Sequence, residues 1–438
     1  MSEMPENKIR KKHPLIETLV TVKGNPKIVL FTEPLWGVPF SLFTPFVPIY
    51  MAALLSPDRV DIEIGLIASV FMLVRAITAI FAGAVTDKLG RKLSTFIFDT
   101  LSWTIPCLLW AFSQNFWWFV IGAAFNGLMQ IPHTSWMCLL VEDAEKESLV
   151  SIFTLLYMMS QIAVIFAPLA AIMVDKMSIV PAMRIIYFFS FISMTLKFIL
   201  LYKYGDETEV GRTRIEETKG MSIWHIMRGY GGIYKRIFAS RDMILSLTLM
   251  TIMSIAGMIT GNFFGLYVTR TLNLPEHYLA YFPILRAVII TVLLYFLQPR
   301  FDKFGFRRPM LIGLLIFITG NILLVFIPNV TITYMILPLL IIFIMIDAVA
   351  VTFFAPRADS LTQLLIEPSE RARINGLMMA IVLGLSFPFG TLAGWLSDVN
   401  HRYPFILITG LLVLMLIVIT ASKKRLATLQ AKDKAEDS

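Results

Sequence analysis

Long apolar runs alternate with short polar breaks along almost the whole chain. A helix that crosses a bilayer needs about 20 mostly apolar residues. A window of that length finds about twelve runs, near residues 28–54, 63–85, 93–112, 116–141, 149–174, 180–203, 243–270, 278–299, 309–328, 331–356, 374–397 and 403–421. The pattern predicts an all-α integral membrane protein with twelve transmembrane helices. The longest polar interval, residues 204–242, falls between spans six and seven. It divides the chain into an N-terminal segment (1–27), a six-helix bundle (28–203), a linker (204–242), a second bundle (243–421) and a tail (422–438).

Composition agrees with a lipid solvent: 57% of the 438 residues are hydrophobic, 16% are charged, and mean hydropathy is +0.74. A water-soluble chain would lack polar surface at that balance. The net charge of +8 does not point to nucleic acid, because the basic residues are sorted by loop. About thirty Lys and Arg fall in the termini and even-numbered loops and roughly five in the other loops, with only Arg75, Lys197 and Arg286 within spans. Basic residues gather on the cytoplasmic side, so both termini and the linker are expected in the cytoplasm of a cell-membrane protein. The first 27 residues lack a cleavable-signal pattern, and the N-terminus is expected to be mature. Cys107 and Cys138 lie inside predicted spans and read as buried apolar residues.

Within the linker, Ile223, Trp224, Ile226, Met227, Ile237 and Phe238 share one face, beside His225, Arg228 and Lys235. This predicts an amphipathic helix on an anionic lipid surface, with a solvated loop as the other reading.

The loop after span two reads Gly83-Ala-Val-Thr-Asp87-Lys-Leu-Gly90-Arg91-Lys92. Asp87, Lys88, Gly90 and Lys92 recur as Asp302, Lys303, Gly305 and Arg307 at one constant offset of about 215 positions, which marks an internal repeat. Gly90 permits a tight turn, and Gly83 permits close packing. Twelve spans, two repeats and this loop resemble the major facilitator superfamily of secondary transporters. The resemblance implies two pseudo-symmetric six-helix bundles. It also implies that Asp87 and Arg91 form a charge cluster with an acid ending span four, here Glu142, that holds an outward-open state. Asp302, Gly305 and Arg307 would be the second gating copy, with Gln298 and Phe306 departing from the pattern. A purely topogenic basic loop is the plainer reading. The family's Gly-Pro motif of span five appears eroded, as Ala163, Ala167, Pro168 and Ala171, so antiport is permitted without being indicated.

Ionisable groups within spans are costly unless paired or wetted. Glu33, before Pro34, is a coupling residue or a carboxylate satisfied by helix donors. Arg75 and Arg286 occupy related spans and would bind an anionic group or neutralise Asp99. His133 and Asp347, nearly equivalent under the repeat, are candidates for opposite walls of one cavity, with Asn126 and Asn262 beside them by resemblance. Lys197 is expected to snorkel to the inner interface.

The function expected is movement of a small solute by alternating access, coupled to protons or a solute gradient, with efflux favoured over uptake. The alternative is a transporter-like sensor or scaffold. Neither a Walker loop nor the His-Glu-x-x-His or Gly-x-Ser-x-Gly motifs occur, so no enzyme and no cofactor are expected. A monomer with a proton as coupling ion and anionic lipids as neighbours completes the expectation.

Overall fold

The structure is a computed structural model that describes residues 21–142, 144, 146–228, 231–301, 307–329, 333–364 and 371–422. It shows twelve membrane-length helical segments and, among the described residues, no strand. Ten are long and apolar enough to cross a bilayer: Gly24–Ala52, Val60–Leu89, Arg91–Ala111, Leu155–Met177, Ile179–Tyr204, Arg241–Thr271, Arg308–Phe326, Ile336–Phe354, Gly376–Val399 and Tyr403–Ala421. Span 4 runs from Phe116 to Val141 through a short 3₁₀ turn, and span 8 is Tyr278–Phe301. The linker end of the molecule carries the span 2–3 turn and residues 205–228 and 231–240. The opposite, far end carries the turns between spans 1 and 2, 5 and 6, 7 and 8, and 11 and 12.

Proline breaks the spans where the sequence places it. Span 1 restarts at Pro34 and passes through a 3₁₀ turn at Thr44–Phe46 around Pro45. Span 5 consists of Lys146–Val164 and Ala167–Met177, with Pro168 opening the second piece. Span 11 is likewise split into Arg371–Ser386 and Pro388–Val399. Proline removes a donor and clashes with the preceding turn, and in lipid the freed groups need other partners. One such partner is visible. The Ser69 hydroxyl of span 2 donates to Phe387 O at 2.7 Å and accepts from Thr391 N at 2.8 Å, so it sits inside the helical ladder of span 11 at its break.

Spans 2 and 11 approach closely because neither presents bulk. A Cβ on Gly65 would lie 2.4 Å from Gly390 O, and one on Gly394 would lie 2.6 Å from Asp61 O. In a bilayer small residues promote helix association by letting backbones touch.

The linker holds three short helices, Glu209–Glu217, Ile223–Arg228 and Gly231–Ala239. Its apolar residues divide between the halves. Ile223 packs with Ala82 and Val85 of span 2, and Trp224 meets the Phe81 ring edge-on at 5.5 Å. Met227 and Ile237 instead join Leu247, Ile374 and Leu377 of spans 7 and 11. Trp224 stays 67% exposed.

Candidate functional site

Between spans 2 and 3, Gly90 adopts φ +85°, a region that strains any residue with a Cβ. A Cβ there would also meet the Glu207 carboxylate at 2.5 Å. The turn brings Arg91 back onto Asp87, whose Oδ1 accepts from Nη1 at 3.1 Å. Nε and Nη2 of Arg91 fork onto Glu142 at 3.0 Å each. Arg91 is only 4% exposed, and a buried cation without such partners would cost several kcal/mol. Lys92 places its ammonium 4.9 Å from the Tyr202 ring centre.

Glu207 and Thr208 complete this cluster from the linker. The Glu207 carboxylate accepts the N–H groups of Arg91 at 2.9 Å and Lys92 at 3.0 Å, satisfying orphan donors at the start of span 3. The Thr208 hydroxyl donates to Glu142 Oε2 and accepts from Gly211 N at 2.9 Å, which caps the first linker helix. Lys88 donates to Met221 O at 2.9 Å. A cavity of about 380 Å³ opens beside the cluster, lined by Gly83, Asp87, Arg91, Glu142, Arg214 and Gly376 among others. Gly83, Asp87, Gly90, Arg91 and Glu142 thus meet in one place. Of the second copy, Asp302 and Gly305 lie outside the described residues. Arg307 opens the helix of span 9, and its side chain is also outside them.

Lys197 does not snorkel. It is 4% exposed, donates to Glu33 Oε2 at 2.7 Å and lies 5.7 Å from the Trp36 ring centre. Glu33 of span 1, immediately before Pro34, supplies the counter-charge to Lys197. Asp99 is buried within electrostatic range of both groups. Glu33 thus pairs with the Lys197 ammonium, with the Asp99 carboxylate nearby in the same bundle.

Arg75 does not pair with Asp99 either: its Nε donates to Gln130 Oε1 at 3.2 Å. His133, one turn further along span 4, is exposed and lies within electrostatic range of Arg75. Arg286 donates from Nε to Asp347 Oδ2 at 2.6 Å, joining spans 8 and 10, so Asp347 is partnered within its own bundle. Asn126 donates to Ser102 O at 2.7 Å, and Asn262 to Met258 O of its own helix at 2.8 Å. Ser41 donates to Ala163 O at 2.7 Å, and Ala163 packs against Gly37, so the eroded motif of span 5 serves close contact with span 1.

At the far end, sequence reasoning missed Asp61. This carboxylate of span 2 is 5% exposed and accepts from the Ser397 hydroxyl. Arg270 and His401 approach it at 3.5 and 3.6 Å. Asp175, ending span 5, meets His277 Nδ1 at 3.2 Å.

The sequence profile described as Major Facilitator Superfamily matches residues 35–297 and 247–437. The chain belongs to this superfamily of membrane transporters. It is 35% identical over 97 residues to the Multidrug resistance protein MdtG of Rahnella sp. (strain Y9602), covering 22% of this chain and 23% of that protein. A 109-residue stretch is 36% identical to the protein of the same name from Proteus mirabilis (strain HI4320), covering 24% of this chain and 27% of that one. The chain therefore spans about a quarter of the length of the curated relatives it matches. Its fold is shared with the nucleoside transporter NupG, at a TM-score of 0.68 and 14% identity over 92% of this chain and 100% of the other. The peptide transporter POT in complex with sulfate gives 0.67 and 14% over 95% and 99%. Membership makes the chain a multi-pass membrane transporter and not an enzyme.

Proposed function

We propose that this chain is a secondary active transporter of the cell membrane that moves a small solute by alternating access, exports it, and is driven by protons. The observation that carries this reading is the buried group of Glu33, Asp99 and Lys197. With all three ionised, one negative charge is in excess at a site screened from water, and one proton neutralises it. Rocking of the halves changes hydration around span 1, so the proton is taken from one side and given to the other. The Arg286–Asp347 pair is a second candidate of the same kind, since solute or proton on Asp347 would release Arg286.

Export of apolar or amphiphilic compounds is supported by the relatives named multidrug resistance protein and by the 13% aromatic content with 24 methionines. The sorting of basic residues supports a cytoplasmic linker end and termini. A reporter fused at residue 220 tests that placement, and an external reading there overturns it.

The decisive experiment uses proteoliposomes with an imposed pH gradient, a panel of lipophilic cations and neutral drugs, and an internal pH dye. Parent protein should couple solute movement to proton movement. Glu33→Gln should lose gradient-driven accumulation and keep solute exchange at equal concentration. If Glu33→Gln and Asp347→Asn both concentrate solute with unchanged pH dependence, these carboxylates are structural. Ligand binding without any solute movement would make the chain a sensor.

A further inference from the structure

We infer that Asp61 is the latch that keeps the far end closed, with Asp175 as its weaker counterpart, so that the far end opens only when Asp61 leaves the C-terminal half. This rests on the alternating-access reading above. Both carboxylates belong to the N-terminal half, and all their cationic partners belong to the C-terminal half. Asp61 of span 2 meets Ser397 of span 11, His401 just beyond it and Arg270 at the end of span 7. Asp175 of span 5 meets His277, which precedes span 8. Spans 2 and 11, and spans 8 and 5, exchange places under the internal repeat, so the two ties occupy the two equivalent seams between the halves.

Their weights differ. The Asp61 side chain is 7% exposed and is held by a hydroxyl, a guanidinium and an imidazole. The carboxylate is the buried member, so removing its partners would strand it, whereas Arg270 at 37% exposed stays solvated. The Asp175 side chain is 57% exposed, and a solvated pair contributes little. Asp61 consequently dominates. Towards the linker end the same two spans stay in van der Waals contact, a Cβ on Gly376 lying 3.7 Å from Ala79 O, beside the cavity lined by Gly83 and Cys138.

The test is accessibility of a reporter cysteine, which requires no knowledge of the solute. Thr134→Cys supplies the reporter in a Cys138→Ser background, because Thr134 and Cys138 both line the linker-end cavity whereas Cys107 is 1% exposed. A membrane-impermeant maleimide is applied to vesicles from each face. The parent should label from the linker face. Asp61→Asn should raise far-face labelling at least about tenfold and lower linker-face labelling in step, as a shift between two states requires. Asp175→Asn should change it less, and Asp61→Glu should restore the parent pattern. If Asp61→Asn at equal membrane abundance labels like the parent, Asp61 is no latch. If labelling rises from both faces together, the protein leaks instead of alternating, and the transport reading itself falls.

Discussion

Lys197 and Glu33 lie 164 positions apart and join at 2.7 Å between spans 6 and 1. Breaking a buried pair from one side costs about 3–5 kcal/mol because the other charge is left stranded. Lys197→Met alone should therefore lower the melting temperature of detergent-solubilised protein clearly. Lys197→Met combined with Glu33→Gln should recover part of the loss. Equal melting of the single variant and the parent would show that the pair carries no stability.

The Glu207 carboxylate holds span 3 through the N–H groups of Arg91 and Lys92. Glu207→Ala should cost about 1 kcal/mol, the usual worth of a helix N-terminal partner, and loosen the linker from the Gly90 turn. Faster protease cleavage between residues 205 and 222 would register that loosening. Asp87→Asn should leave abundance near the parent's and lower transport. Unchanged transport by Asp87→Asn at equal abundance would reduce the loop to a topological signal.

Ser69→Ala should strand Thr391 N at the break in span 11, while Phe387 O keeps its bond from Gly390 N at 3.2 Å. An unsatisfied buried polar group costs about 1–3 kcal/mol. Thermal denaturation should show the loss, and Ser69→Thr should not rescue it fully because the added methyl meets Gly390, whose own Cβ would lie 2.5 Å from Ser69 Oγ.

Glu276, in the turn before span 8, has its carboxyl held above the ordinary value of 4.5, first by burial and then by the nearby Asp175 charge. A carboxyl with a raised folded-state pKa favours the fold while protonated, and that contribution disappears as pH rises through the folded value. Glu276→Gln should thus raise the melting temperature at neutral pH and change it little below pH 4.5. A stabilisation that persists unchanged at low pH would point to packing instead of charge.

The spans and the Gly83–Lys92 loop were legible because both signals are local. Hydropathy reports the solvent around about 20 residues at a time, and the turn chemistry of Gly90 is contained within its own neighbours. Arg91 meets Asp87 across the Gly90 turn, the pairing that the resemblance implied. Lys197 was misread because its fate depends on which helix stands beside it, and Glu33 sits in another part of the chain. The same reason separates Arg286 from Asp99 and gives it to Asp347. Asp61, Glu207 and Ser69 left no periodic or motif signal. Each acts on a residue more than a hundred positions away, so only the packed structure exposes it.

The backbone contact of Gly65 with Gly390 and Gly394 has a mechanical meaning. Two helices joined by interleaved side chains are geared together and must unmesh before either can turn. Here the backbones touch directly and only Ser69 and Asp61, among the side chains described above, pin one rod to the other, so the seam works as a hinge whose pins are two small polar groups.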